Sequence, residues 1–408
     1  MSTTAQTSPE GLVTDHSRAV TDGAHSHGAV PGSSRAERAT SFELDDFAVP
    51  TGREEEWRFS PVDRIAPLFA AGITSTGVQT TVVAAPEVTV EIVDRADARL
   101  GVAGKPGDRA AAAAWQGAQE ATGVTIPANA VASQVTSVRI EGSSTDDVAS
   151  AHLLVHAKEH SESIVLIDHL GATTLTQTVE VVAEAGAHVT IVAIHDWADG
   201  SVHNGAHRIA IGRDATVKHA VVTFGGDVVR VTPDATFTGP GGEVEMLGLY
   251  FADAGQHQEH RLFVDHAVEK CKSRVTYKGA LQGDGAHAVW VGDVLIRANA
   301  EDTDTYERNR NLILTDGARA DSVPNLEIET GLIEGAGHAS ATGRFDDEQL
   351  FYLRSRGIPE DEARRLVVRG FFADLIHQIG IPEIEERLLE HIAAELDELA
   401  PHELGAGK

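Results

Sequence analysis

Histidine is the residue type with the most potential for chemistry in this sequence. There are 20 histidines in 408 residues, and several recur two to four residues apart inside apolar stretches. A metal site needs at least three ligands that converge in space, so paired spacing alone is a weak signal. The pattern favours partly buried or surface histidines over a metal centre. The histidines concerned are His152, His156, His188, His195, His203, His207, His257, His260 and His287.

The single cysteine, Cys271, limits the thiol chemistry open to this chain. One cysteine excludes an intramolecular disulfide and any zinc or iron–sulfur site built only on this chain's thiolates. Lys270 and Lys272 would favour a thiolate at Cys271 if that side chain were exposed, but a cysteine inside a strand is more often a small core residue. Cys271 is therefore the one candidate thiol, with its role left open. Such sparse cysteine usage predicts a reducing, cytoplasmic location.

Common catalytic signatures are missing from the sequence. It has no Gly-x-x-x-x-Gly-Lys-Ser/Thr loop, no Gly-x-Ser-x-Gly elbow and no His-Glu-x-x-His pair. Acidic residues on strands leave one enzymatic alternative, a β-helix polysaccharide lyase or glycosidase with paired carboxylates. Those enzymes are mostly secreted and expose aromatic platforms to sugars. This chain is 5% aromatic and lacks the apolar core of a signal peptide, which argues against that alternative.

The elements that would position these residues follow a repeated sequence pattern, which runs from about Val165 to Arg344. A turn of small or polar residues precedes five to seven residues rich in valine, isoleucine, leucine and threonine, as in 186–192, 214–222 and 285–291. No helical stretch of ten residues separates the repeats, so a fold built from βαβ units is not expected. Within this region the hairpin dipeptide Asn-Gly occurs only once, at Asn204-Gly205. We predict a mainly β protein with a parallel β-helix core, although a β-sandwich uses similar residues.

Composition changes along the chain predict four regions. Residues 1–40 form a disordered tail, 41–130 a helical or mixed domain, 131–345 the parallel β-helix, and 346–408 a helical domain. Within the second region we predict a short helix from Pro61 to Phe69 capped by Ser60, and a longer one from Asp108 to Ala121. Asp108 is its expected N-cap and Gly123 its expected stop. Three helices are expected after residue 345, over 346–356, 360–379 and from Pro382 onward.

The overall charge and hydropathy narrow the range of partners. The formal net charge is −29, which argues against nucleic-acid binding. No run of 18 apolar residues is present to span a bilayer, so we expect a soluble cytoplasmic protein that does not enter membranes.

The segment from Gly335 to Gly357 is the most distinctive in the sequence. Its core reads Gly337-His338-Ala339-Ser340-Ala341-Thr342-Gly343-Arg344 and continues through Phe351-Tyr352-Leu353-Arg354-Ser355-Arg356. With Pro324–Ile328, Tyr277–Gly279 and Pro50–Arg58, it resembles the SufB/SufD family of iron–sulfur cluster assembly proteins. The chain is more similar to the SufD branch, because SufB-type chains carry several cysteines, including one where this chain has Leu353.

The resemblance implies a fold and a set of partners. The implied fold is a right-handed parallel β-helix flanked by an N-terminal helical or mixed domain and a C-terminal helical domain. The implied function is that of a non-catalytic scaffold subunit in a complex with a SufB-type paralogue and a SufC-type ABC ATPase. It leaves open whether the chain forms a homodimer when alone, whether a flavin binds the complex, and which proteins receive the cluster.

The resemblance also assigns roles to particular residues. His338 matches a family histidine at the SufB–SufD interface that contributes to cluster formation, so it is the expected metal ligand for a transient cluster shared with the partner. Some relatives have cysteine two residues earlier, where this chain has Ala336. The C-terminal helices are expected to dock the ATPase, through the apolar and basic side chains Phe351, Tyr352, Arg356, Leu366, Val367 and Phe371.

Overall fold

The computed structural model describes residues 37–345 and 347–397, and it is built mainly from long parallel strands. Two early strands, β4 (Thr136–Ala157) and β5 (Glu162–Ala183), each span 22 residues. Eleven strands of ten residues follow. They are β6 (His188–Trp197), β7 (Val202–Ile211), β8 (Thr216–Gly225), β9 (Val228–Phe237), β10 (Glu243–Ala252), β11 (His257–His266), β12 (Lys272–Leu281), β13 (His287–Ile296), β14 (Asp304–Ile313), β15 (Arg319–Ile328) and β16 (Gly335–Arg344).

Each of the ten-residue strands pairs with a strand two positions away in the chain. The even-numbered strands β6 to β16 form one arm of the sheet and the odd-numbered strands β7 to β15 form the other. Strand β5 joins the arms, because its first half pairs with β6 and its second half with β7. All of these pairings are parallel, so the chain coils as a solenoid of about eight turns. The predicted parallel β-helix is confirmed.

A left-handed backbone corner precedes every ten-residue strand from β6 to β15. The residue two positions before the strand has positive φ in each case. On the odd-numbered arm all five corners are glycine, whereas the even-numbered arm also uses Asp214, Lys270 and Asp302. Neighbouring corners are hydrogen-bonded, for example from the Asp214 amide to the Pro240 carbonyl at 3.0 Å. The corners explain the small residues in the turns of the repeated sequence pattern, because a positive φ is unfavourable for most residues other than glycine.

The interior of the solenoid is a single continuous core. Apolar side chains from both arms meet there, including Ile191, Val217, Met246, Val275 and Trp290, all of them 1% exposed or less. Side chains alternate along each strand, so the intervening residues face outward. The outward faces of both arms are then covered by the two ends of the chain.

The N-terminal region contains short elements that cover the odd-numbered arm. They are α1 (Val62–Ile65), a 3₁₀ turn (Ala66–Phe69) and α2 (Arg109–Gly117), together with strands β1 (Val78–Val83), β2 (Thr89–Asp94) and β3 (Glu120–Ile126). Trp57, Leu68 and Ala110 pack on Val202 and Val228 of the solenoid. The fully buried Arg230 guanidinium donates to Asp108 at 2.8 Å and to Glu259 at 3.3 Å, which ties this region to the coils.

The C-terminal helices cover the even-numbered arm. They are α3 (Asp347–Ser355), α4 (Glu360–Ile379) and α5 (Pro382–Asp397). One apolar cluster joins α4 and α5 to strands β6, β8, β10 and β12. Arg387 adds two 2.8 Å hydrogen bonds to the Asp168 carboxylate. No helix in the described ranges has the length and apolar character needed to cross a bilayer.

Some local predictions were wrong for identifiable reasons. Helix α2 has the expected N-cap, with the Asp108 carboxylate accepting from the Ala111 amide at 2.8 Å, but it ends at Gly117. Gly123 lies inside β3, because pairing with β2 and β4 outweighs the helical tendency of the alanines. Ser60 does not cap a helix and instead donates to Glu259 at 2.7 Å. Asn204-Gly205 lies within parallel strand β7.

Other predictions fall outside the described residues or stay untested. Residues 1–36 of the predicted tail and 398–408 of the predicted C-terminal region lie outside the described ranges, as does Asp346. The four-region division of the chain therefore stays a prediction, while the helices over 347–355, 360–379 and 382–397 agree with expectation.

The corner geometry predicts a measurable difference between two glycines. A Cβ would meet nothing within 4 Å at either Gly255 or Gly343, but only Gly255 has positive φ, at +76°. Gly255→Ala should therefore lower the free energy of unfolding by about 1 kcal/mol through backbone strain. Gly343→Ala should leave it unchanged or raise it slightly. Chemical denaturation of both variants checks this, and equal effects would contradict the importance of the corners.

Candidate functional site

The solenoid has an open end at its last coil. Within the described residues, β15 forms a backbone ladder only with β13, and β16 only with β14, so each has one edge without a strand partner. Most residues of β16 are exposed, in contrast to the fully buried strands of the middle coils. Exposed strand edges are templates for pairing with another chain. This end is therefore the part of the solenoid most suited to binding a partner.

His338 lies on β16 at this open end. The register stacks it on Glu307 of β14, which in turn stacks on Val275 of β12. This ladder faces the interior of the solenoid, so His338 continues an interior column that ends there. Its side chain is 43% exposed, and its Nδ1 atom lies 3.8 Å from Oε1 of Glu307. His338 is thus accessible from outside the chain.

Glu307 is the least satisfied polar group near this end. The residue is 0% exposed, and neither carboxylate oxygen has a hydrogen-bond partner. Burial, together with the negative charge of Asp293, raises the pKa of Glu307 to about 8. A Cβ at Gly292 would lie 2.3 Å from Oε2 of Glu307, so glycine at that position leaves room for the carboxyl group. Glu307 was not singled out from the sequence.

The neighbouring interior residues of the last coils are polar and well paired. Asn309 and Asn311 follow Glu307 on the interior face of β14. The Asn311 amide donates to Ser322 at 2.9 Å and to Thr342 at 3.3 Å, and the Ser322 hydroxyl donates to Asn309 at 2.6 Å. The open end therefore has a rigid polar network, and Glu307 beside it lacks such partners.

A second group of interest lies deep in the first coils. His169, His195 and His203 are at most 1% exposed, and one nitrogen from each ring lies within 4.8 Å of one from each of the others. Burial is the largest cause of the lowered pKa of all three rings, so they are neutral near pH 7. His203 Nδ1 accepts the Trp197 indole N–H at 3.1 Å, which leaves its proton on Nε2. In this tautomer Nε2 is a donor and offers no lone pair to a metal.

The remaining histidines are mostly structural. His152 pairs with Glu180 at 2.8 Å and His156 with Glu184 at 2.6 Å. Other interior rings, such as His219 and His260, are fully buried. The sequence-based expectation of partly buried or surface histidines therefore underestimated how many would lie inside the solenoid, because a polar residue gives no sign of facing inward.

Cys271 is poorly placed for thiol chemistry. It lies directly before β12 rather than inside a strand, and it is 1% exposed. Its sulfur is 3.3 Å from the carbonyl oxygen of Glu269. Burial raises the pKa of the thiol, which opposes the effect expected of the flanking lysines. The structure thus does not bring Cys271 to the open end with His338.

The residues proposed for ATPase docking divide into exposed and packed groups. Phe351, Tyr352 and Leu366 are 73%, 57% and 45% exposed, and the Arg356 guanidinium lies 5.1 Å from the centre of the Tyr352 ring. We call these four residues the α3–α4 patch. Val367 and Phe371 are half-buried, and Phe371 packs against the core under the helices. Large exposed apolar side chains on neighbouring helices are consistent with a binding surface.

The buried carboxyl group predicts a pH dependence of stability. Between its ordinary pKa of 4.5 and about 8, folded Glu307 binds more protons than the unfolded chain. The free energy of unfolding should therefore fall as pH rises through this range. Glu307→Gln removes that loss. Its free energy of unfolding should exceed that of the wild type by on the order of 3 kcal/mol at pH ~8 and by little at pH ~5.

Urea unfolding of the two proteins across this pH range is the measurement. The exposed Glu301→Gln serves as the matched control and should follow the wild type. Parallel profiles for wild type and Glu307→Gln would contradict a raised pKa at Glu307.

Comparisons with known proteins identify the family. Residues 138–371 match the family described as SUF system FeS cluster assembly, SufBD core domain. The chain is 54% identical over 370 residues to an iron–sulfur cluster assembly SufBD family protein of Mycobacterium tuberculosis, covering 89% of this chain and 93% of the relative. It is 29% identical over 195 residues to iron–sulfur cluster assembly protein SufD of Escherichia coli, with 48% and 46% covered. For SufD of Bacillus subtilis the identity is 27% over 259 residues, which cover 61% of this chain and 58% of the relative. The chain therefore belongs to the SufB/SufD family of iron–sulfur cluster assembly proteins.

Proposed function

We propose that this chain is a non-catalytic scaffold subunit of a SufBCD-type complex. In this proposal the last coil pairs with a cysteine-bearing SufB-type paralogue and presents His338 to the nascent cluster, which is cargo. The observation that carries the proposal is the position of His338, exposed on the final strand of a solenoid whose edge is unpaired. When the chain is alone, the same edge is the surface on which two copies would pair.

The chemistry of His338 suits a shared site. A neutral imidazole can replace a thiolate as an iron ligand in a cluster. The single buried cysteine of this chain lies elsewhere, so most ligands must come from the partner. Pairing two strand edges through backbone hydrogen bonds brings side chains of equivalent register close together. His338 would then lie beside thiolates of the paralogue.

The alternative of a polysaccharide-cleaving enzyme has less support. A polymer substrate needs a long open face of the solenoid. Trp57, Leu68 and neighbouring side chains cover β7 and β9 of the odd-numbered arm, and α4 and α5 cover β6, β8, β10 and β12 of the even-numbered arm. Family membership also favours cluster assembly. No observation of this chain favours the enzyme over the scaffold.

The first test concerns His338. In the complex co-expressed with the SufB-type paralogue and the ATPase, His338→Ala should lower iron and acid-labile sulfide per complex by about tenfold or more, because a ligand is lost. Subunit stoichiometry and thermal stability should not change, since the side chain is 43% exposed and its contact with Glu307, at 3.8 Å, is longer than a hydrogen bond. His188→Ala, at another exposed histidine, is the control. Normal cluster content in an intact His338→Ala complex would refute the role of His338.

The second test concerns the ATPase. Deleting the C-terminal helices would expose the apolar face that α4 and α5 cover, so point substitutions are the cleaner experiment. Phe351→Ser combined with Leu366→Ser should weaken ATPase binding by about 2 kcal/mol or more, as expected for lost apolar anchors. The fold should be retained, because both side chains are exposed. Val131→Ser, an exposed apolar residue outside the helices, is the control, and unchanged binding in a calorimetric titration would end the proposal.

A further inference from the structure

The interior column of stacked side chains that ends at His338 is no longer apolar at its last two positions. Along the even-numbered arm it runs through Ile191, His219, Met246 and Val275 before it reaches Glu307 and His338. Met246 and Val275 pack in the apolar core. An acidic side chain then stands where the pattern calls for another apolar one. A buried carboxyl group at such a place needs a physical explanation.

The contacts of Glu307 do not supply that explanation within the described part of the chain. Its two oxygens lack hydrogen-bond partners, although polar side chains of the same coil pair with one another. The nearby Trp290 indole nitrogen is also without a partner. A buried polar group without a partner costs stability, so its presence points to a ligand that pairs with it.

The distance to His338 suits a shared cation. Imidazole nitrogen and carboxylate oxygen bind zinc-sized divalent ions at about 2.0–2.2 Å, so two such ligands on one tetrahedral ion lie about 3.3–3.5 Å apart. The Nδ1 and Oε1 atoms are 3.8 Å apart. A small rotation of the 43% exposed His338 ring closes the difference. Adjacent parallel strands hold both residues, so little else must move.

We propose that Glu307 is a second metal-binding side chain of this chain, and that it and His338 together bind one divalent transition-metal ion at the open end of the solenoid. The proposal rests on the proposed function and extends it. The chain would contribute one nitrogen and one oxygen ligand, and the remaining coordination positions would face the partner. The ligand class is a borderline cation such as iron(II), for which cobalt(II) is a stable probe.

The test uses the full chain, freed of metal and without an added histidine tag, in equilibrium dialysis against cobalt(II) up to millimolar concentration. We expect one cobalt ion per chain whose binding depends on His338. Glu307→Gln and His338→Gln should each weaken it by about tenfold or more. The double variant should lose less binding free energy than the sum of the two single variants, because the two residues act on one ion. Glu301→Gln and His188→Gln should bind like the wild type.

Several outcomes would overturn the proposal. Wild-type affinity in Glu307→Gln, or the absence of any His338-dependent cobalt ion at millimolar concentration, would each do so. The histidines of the N-terminal region, His16, His25 and His27, give the same background in every variant. Thermal unfolding checks that each variant is folded. Glu307→Asp, which keeps the charge but shortens its reach, should also weaken binding.

Measurements of cluster content in the complex distinguish this inference from the proposed function. If His338→Ala lowers cluster content but Glu307→Gln changes neither cluster content nor cobalt binding, the scaffold function stands and the Glu307 ligand is refuted. If neither substitution changes cluster content while both weaken cobalt binding, the metal site stands and its link to cluster assembly fails. A loss of cluster content in both variants, with the complex intact, supports both.

Discussion

Backbone hydrogen bonding between stacked coils is the constraint on which the rest of this structure depends. Each ten-residue strand in the middle of the solenoid is paired on both edges, and such pairing is satisfied only while another coil follows. At the amino-terminal end, β1 pairs antiparallel with the first half of β4, and β3 pairs with its second half. At the other end β15 and β16 keep free edges. Among the described strands, the stack of parallel coils therefore continues into antiparallel strands at one end and stops at β15 and β16 at the other, which is the end that we propose for pairing.

The chemistry of the interior follows the same asymmetry. The early and middle coils bury apolar side chains and neutral imidazoles, whereas the final coils bury Asn309, Asn311 and Glu307. A fully enclosed core tolerates an unpaired carboxyl group poorly, because nothing replaces the lost water. At the end of the stack, a partner or an ion can supply the missing contacts. Residues that weaken the isolated chain can therefore serve the assembled one.

The sequence predicted the repetitive part of the fold well. The small residues at the turns mark left-handed corners, and the alternation between them marks strands, so a coiled parallel sheet was accessible from local rules alone. The same rules failed where tertiary pairing competed, as at β3, where an alanine-rich helix was expected to continue. They also placed Cys271 inside a strand, when it lies just before one.

The candidate site was only partly accessible from the sequence. His338 was found through its surrounding motif and lies exposed on the last strand, while its role in cluster formation stays a prediction. Glu307 was missed because both faces of β14 carry polar residues: Tyr306, Arg308 and Arg310 alternate with Glu307 and Asn309. Hydrophobic alternation could not tell the inward face from the outward one. Only the register with Met246 and Val275 identifies Glu307 as an interior residue.

The packing of the C-terminal helices has a mechanical consequence. Helices α4 and α5 lie across four strands of one arm, β6 through β12, and are fixed by apolar contacts and by the Arg387–Asp168 pair. They therefore join several coils into one rigid unit. A force applied to these helices would therefore be shared among those coils instead of acting on any single one.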